Sequence, residues 1–348
     1  MKSMKNKSII LCLTGCMFAL PACTDDRHEP EATSTDNAIS FSAVVPNGSR
    51  GAATTTASIK DFVVYAFTEG AMLMDGVKVT REGGSWTYSP AAYWPVEPVN
   101  FYAYSPEITT STDISGNGGG HIPGYLNNYN VDLLYAVRKD VMQQAAPVSL
   151  NFRHALSDVR MMLSSTNPRI KVVVSYISLK NVYREGSFDF PQASTLASTP
   201  DVVGSWSDLK SLSEMITFAI IGSEDRVELT PQPTDYTINN LDHSYVIPQP
   251  LIDVQLSPDG YSGTYIEVDC EIFDTATGTK LWPNTKTPGY MLVPETETGR
   301  IVYPATSDQV KAYLPGHAYI YNIQINNPDV LDMIEFDVTV DDFTLDQM

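Results

Sequence analysis

Over most of its length the chain alternates apolar and polar residues in short stretches. Ala38–Val45, Ile59–Phe67, Val99–Tyr104, Val159–Leu163, Ile170–Leu179, Gly263–Cys270 and Ala318–Ile325 all repeat with period two. They are rich in β-branched and aromatic residues, which predicts half-buried antiparallel strands. Turn signals separate them at Pro46-Asn-Gly48, Asp75-Gly76, Gly83-Gly84, Asp259-Gly260 and Thr277-Gly278. Helical signals are weak. Ser207–Glu214 predicts one short helix, with Ser207 as N-cap and Asp208 in its first turn. Val131–Val141 has room for another helical turn. The pattern as a whole predicts an all-β chain of two sandwiches. The boundary is placed near residue 147, where Gln143-Gln-Ala-Ala-Pro147 interrupts the alternation. Thr109–Gly120 and Pro191–Pro200 are expected to be surface loops.

Composition narrows the function. The apolar share of 43% is enough to bury a core, and 348 residues suit two domains. The formal net charge is −19. That acidity argues against nucleic acid and against electrostatic attachment to anionic lipid, since both need a basic face.

The first residues carry a processing signal. Lys2, Lys5 and Lys7 precede the apolar run Ile9–Ala22, as in a signal peptide. The run is shorter than the roughly 20 residues a transmembrane helix needs. It ends in Leu20-Pro21-Ala22-Cys23, which resembles the lipobox of bacterial lipoproteins. That resemblance implies cleavage of residues 1–22 and acylation of Cys23. Cys12 and Cys16 then leave with the peptide, so Cys270 is the only thiol left and no intrachain disulfide is expected. Cys270 sits in a strand pattern and is read as buried and inert. Residues 23–37 read as a flexible tether. Asp25-Asp26 resembles the acidic surface-export signal of some lipoproteins, or is simply solvated charge.

Catalytic signatures are missing from the sequence. The five histidines, His28, His121, His154, His243 and His317, form no metal-ligand spacing. His154 lies between apolar neighbours and is read as a hydrogen-bonded structural residue. Gly260-Tyr-Ser-Gly-Thr264 lacks the spacing of a nucleophile elbow. The glycines of Thr109–Gly120 have no strand–loop–helix context for a phosphate cradle. Asp341-Asp342 lacks a calcium-loop spacing. No metal or cofactor is expected. Trp86, Tyr88, Tyr93, Trp94, Tyr102 and Tyr104 are dense enough either for a sandwich core or for a sugar-stacking platform.

A longer set of motifs matches a known family. Ile39-Ser-Phe41, Ser49-Arg50-Gly51-Ala52 and Ile59-x-x-Phe62-x-Val64-Tyr65-Ala66 are followed by Gly84–Pro95, which ends in Tyr93-Trp94-Pro95, and by Val99–Pro106. Leu150–Ser157, Ile247-Pro248-Gln249 and Leu314–Tyr321 continue the series. The ordered set resembles the fimbrillin family across nearly the whole chain after the leader. The resemblance implies two tandem transthyretin-like antiparallel β-sandwich domains, 38–147 and 148–348. It implies a lipidated pilus subunit of the outer membrane and cell surface, whose partners are other fimbrial subunits. In stalk subunits of that family an Arg-specific protease removes the N-terminal strand, and the C-terminal strand of the next subunit fills the groove.

The corresponding residues here are Arg50 and Gly51 for processing, and Ile334, Phe336, Val338 and Val340 for a donor strand. Two readings stay open at each: Arg50 is a cleavage site or an ordinary turn residue, and residues 333–340 are a donor or the chain's own last strand. The family tail often ends in Trp, where Phe343 stands nearby in this chain. A second function class also stays open. It is a lipid-anchored, monomeric protein that binds host or bacterial surface glycan through exposed aromatics such as Trp86, Trp94, Trp206 or Trp282.

Overall fold

A computed structural model of the chain describes residues 37–45, 55–110, 112–115, 119–210, 214–220, 226–236, 244–257, 260–293, 297–327 and 335–342. The described residues are strand, turn and loop, with a short 3₁₀ turn at Gly289–Met291 and no α-helix among them. The all-β expectation holds, and no described helix is long and apolar enough to cross a membrane.

A six-stranded antiparallel sheet is built from Arg153–His154, Leu134–Val141, Val99–Ser105, Asp61–Phe67, Met72–Glu82 and Ser85–Thr87, in that spatial order. Its central strands are apolar on both faces because both faces are covered. Phe62, Val64, Ala66, Phe101, Ala103, Leu134 and Ala136 point one way into a core of Phe, Val, Ile and Leu. The two-stranded parallel pair Phe41–Val44 and Val148–Asn151 covers that core. Val63, Phe67, Tyr102, Tyr104, Tyr135 and Val137 point the other way into a second, tyrosine-rich core. A four-stranded sheet of Ser205–Lys210, Glu185–Asp189, Gly119–Leu126 and Asp113–Ser115 carries Ile114, Ile122, Tyr125 and Phe188 of that second core.

Most of the remaining strands make two further sheets that face one another. One sheet orders Thr234–Tyr236, Ser157–Ser164, His317–Gln324 and Glu335–Asp342, with Tyr245–Val246 also on Ser157–Ser164. The facing seven-stranded sheet centres on Ile170–Val182, Tyr265–Asp274 and Thr298–Pro304. A register shift between Val174 and Tyr176 moves the core-facing set from Val172 and Val174 to Ile177 and Leu179. The bulge keeps all four in the same core despite the odd spacing. Cys270 lies in this core with no exposed surface, and burial pushes its thiol pKa up, so it is the inert thiol expected.

Three expectations are corrected. The described residues of Ser207–Glu214 are strand and not helix: Ser205–Lys210 pairs with Glu185–Asp189, and the next strand runs over Glu214–Ile220. The cap signal loses because Trp206 and Leu209 both pack against the tyrosine-rich core, which a strand bulged at Asp208 (φ +49°) allows. Val131–Val141 contains strand Leu134–Val141 and no helical turn, since its alternate residues feed two cores. Gly119 and Gly120 are not loop residues. They open strand Gly119–Leu126 and are buried, and a Cβ on Gly120 would lie 2.7 Å from the Phe190 ring. Gly120 lets the Phe190 and Tyr102 rings approach the backbone, and Gly119 supplies a φ of +81°.

Candidate functional site

The strand Phe41–Val44 and the groove it fills are the most distinctive arrangement in the fold. Alternation decides which side chains enter. Ile39, Phe41, Ala43 and Val45 are buried, whereas Ser40 and Val44 face solvent. The Phe41 ring is the anchor. It meets Phe62 and Phe101 edge-on at 5.8 Å each, and Tyr88 at 5.6 Å. Such pairs add about 0.5–1.5 kcal/mol each beyond simple burial.

The backbone is held more lightly than the side chains. Among the described residues only one strand, Val148–Asn151, pairs with it, over four residues. The flanking bonds run from Val148 N–H to Ser40 O at 2.8 Å and from Phe152 N–H to Val44 O at 2.8 Å. On the entry side Ile39 N–H donates to Ala92 O at 2.9 Å, and Trp94 N–H donates to Asn37 O at 3.0 Å. The Tyr88 hydroxyl donates to Ile39 O at 2.6 Å, and burial raises its pKa despite the backbone bond at Ala92. On the exit side Val45 N–H donates to Thr56 Oγ1 at 2.8 Å, and that hydroxyl returns a bond to Val45 O at 2.9 Å. The chain on either side of residues 46–54 therefore meets at one point.

A cut between residues 46 and 54 would leave this strand attached by packing and a few hydrogen bonds alone. Loss of the strand would uncover Phe62, Phe101 and Phe152, all fully buried, and the ladder groups of Val148–Asn151. Arg50 and Gly51 lie outside the described residues, as do Cys23 and Ile334. Sequence reasoning found the strand itself. It did not find Thr56, whose hydroxyl gives no signal in the pattern, and it saw Tyr88 only as an aromatic.

The C-terminal candidates sit elsewhere. Glu335–Asp342 runs antiparallel to His317–Gln324 at the edge of its sheet, in register Phe336↔Ile323, Val338↔Tyr321 and Val340↔Tyr319. Val338 is buried in the C-terminal core and Val340 is 40% exposed. An edge strand with one partner leaves its outer ladder open.

Most of the aromatic set is core. Trp94, Tyr102, Tyr104 and Trp282 are buried. Trp86 is half-buried, packed on Phe62 at 5.0 Å and under the Arg81 guanidinium. Trp206 is half-buried and donates its Nε1–H to Ala155 O at 2.7 Å. Tyr93 alone of the named set is strongly exposed. His154 Nδ1 lies 2.9 Å from the carboxylate of Asp132, and both side chains are buried. That matches the structural role expected of it. Among the described residues no group of three or more His, Cys, Asp and Glu side chains is arranged to hold a metal.

Comparison with known proteins follows the same lines. A family model described as fimbrillin-like matches residues 49–342. A fimbrial protein from Bacteroides vulgatus is similar in structure, with a TM-score of 0.54 at 13% identity, over 88% of this chain and 100% of that one. A putative cell adhesion protein from Bacteroides uniformis gives a TM-score of 0.50 at 15% identity, over 89% of this chain and 99% of that one. At these identities the likeness is one of fold. No curated protein matches the chain.

Proposed function

The chain belongs to the fimbrillin-like family, and from that premise we propose that it is exported as a lipoprotein and joins a fimbrium by exchanging its N-terminal strand. Membership makes it a structural protein of the fimbrial and adhesive kind, not an enzyme.

The observation that carries the reading is Phe41–Val44: four alternate residues buried in a groove, one strand partner, and flanking chain that meets at Val45 and Thr56. In the proposed sequence Cys23 takes the lipid and brings the chain to the outer membrane. Cleavage after Arg50 frees the segment that ends there. The exposed face of Phe62, Phe101 and Phe152 then accepts a strand from another subunit. Ile334, Phe336, Val338 and Val340 of a second copy have the alternation to fill it, with Phe336 as the aromatic candidate to replace Phe41. The lipid-anchored glycan-binding monomer gains no support from Trp94 or Trp282, which are buried.

Mass spectrometry of the N-terminus, in sheared surface fibres and in washed outer membrane, tests the proposal. An N-terminus at Gly51 in high-mass fibre material is the expected result. Acylated Cys23 found only in membrane, with no oligomer ladder, would remove Arg50 processing from the account.

A further inference from the structure

The outer face of the seven-stranded sheet is unlike the rest of the surface. Strand Tyr265–Asp274 turns Ile266, Val268, Cys270 and Ile272 into the core and Glu267, Asp269 and Glu271 outward. All three carboxylates are nonetheless almost fully buried. Cations from neighbouring strands cover them. Arg300 Nε and Nη2 hold the two oxygens of Asp269 at 3.1 and 3.4 Å, and its Nη2 lies 3.0 Å from Glu267. Lys180 approaches Glu267 at 3.6 Å, while Arg226 and Lys280 both pair with Glu271.

Beside this charged floor stands a row of tyrosines. Tyr265 leads to Tyr261 at 5.7 Å, and Tyr261 leads to Tyr290 at 6.0 Å. Tyr261 belongs to the small hairpin Gln255–Ser257 and Gly260–Ser262, and Tyr290 to the Gly289–Met291 turn, where it is 39% exposed. Tyr176 lies on the same face, directly across from Asp269. A groove of about 610 Å³ lies over Pro283, Leu292 and Val293, the last two directly following that turn in the chain.

We propose that the Tyr261–Tyr265–Tyr290 row, with the Arg300 guanidinium held by Asp269 at its foot, binds a neutral glycan. Sugar rings offer apolar C–H faces that stack on tyrosine, and hydroxyls that need donors and acceptors fixed side by side. The row supplies the first, and the partly exposed Arg300 guanidinium together with the tyrosine hydroxyls supplies the second. Charge decides against the other ligand classes. Four cations stand against three carboxylates here, so a cationic partner gains little, and the chain's net charge of −19 repels an anionic one. The inference adds a ligand to a surface protein and does not depend on strand exchange.

The test uses the full, uncleaved chain purified in detergent, so that strand exchange plays no part in it. The probes are immobilised oligosaccharides ending in glucose, galactose, mannose or N-acetylglucosamine, with heparin and polylysine as charged controls. The expected result is retention by at least one neutral glycan. Tyr261→Ala and Tyr290→Ala each weaken it at least tenfold, while Tyr93→Ala in the other half leaves it unchanged. Tyr290→Leu keeps the apolar bulk without the aromatic face, and loses binding even if Tyr261→Ala unfolds the hairpin. No retention by any neutral glycan, retention by heparin or polylysine alone, or equal binding by the Tyr290 variants would overturn the proposal.

Discussion

The six-stranded sheet has two apolar faces, and their covers differ in kind. One face is Phe, Val, Leu and Ala under two four-residue strands, Phe41–Val44 and Val148–Asn151. The other is rich in tyrosine under a four-stranded sheet whose strands come from both sides of residue 147. Polar bonds lock the second cover. The Tyr135 hydroxyl accepts from Gly204 N–H at 2.7 Å, Thr195 Oγ1 accepts from Val137 N–H at 3.0 Å, and Arg153 donates to Leu196 and Thr199 carbonyls. The first cover is clamped by side chains at its two ends, by Tyr88 at Ile39 and by Thr56 at Val45, and between them its side chains are held by the non-directional burial of Phe41 and Ala43. A strand held by packing can be replaced by another strand of the same alternation. A sheet held by specific side-chain bonds cannot be replaced so easily. On the proposed reading, this difference makes one face detachable and leaves the other to keep the sheet folded while the first is open.

The largest effect expected is from removing the detachable cover. A chain that starts at Thr55 exposes the Phe62, Phe101 and Phe152 face. It should be recovered as oligomers or aggregates by size exclusion, while the chain that starts at Asn37 is monomeric. Equal monomer yields would break the comparison.

Next come single truncations on the two faces. Phe41→Ala and Phe188→Ala each remove a buried ring, worth about 3–5 kcal/mol in a denaturant melt. Only Phe41→Ala should speed exchange of the Ile39 amide, which bonds Ala92 O, far more than that of central-sheet amides. Equal acceleration in both variants would show that the two covers open together.

A smaller effect comes from pH. Burial pushes the Tyr135 hydroxyl pKa up to about 12, against the lowering effect of the Gly204 bond and Arg153. An unfolded tyrosine titrates near 10. Between those values the folded chain holds a proton the unfolded chain has lost, so stability is full below about pH 10 and falls as pH rises through 12. Tyr135→Phe should flatten that alkaline loss, measured as melting temperature against pH, and leave release of the N-terminal strand unchanged.

The smallest is Trp206→Phe, which drops the Nε1–H bond to Ala155 O on the locked face. A cost of about 1 kcal/mol is expected in a denaturant melt, with no change in oligomeric state.

Period-two alternation made the strands legible, including Ala38–Val45, whose odd-numbered residues from Ile39 onward are the buried ones. It misled where both faces of a strand are covered. Leu134–Val141 loses its alternation because Leu134 and Ala136 feed one core and Tyr135 and Val137 the other. The cap signal at Ser207-Asp208 was real in composition, but Trp206 and Leu209 packing outweighs it. The clamp at Thr56, and the pairing of Glu267, Asp269 and Glu271 with cations on other strands, depend on long-range contacts that no local pattern encodes.

Strand exchange is most directly tested on the purified chain nicked after Arg50. The nicked protein is incubated with a synthetic peptide of residues 333–342 and followed by native mass spectrometry. The account predicts loss of the segment ending at Arg50 and uptake of one peptide per chain, abolished when Phe336 in the peptide is replaced by Asp. Retention of the N-terminal segment with no peptide bound would contradict it.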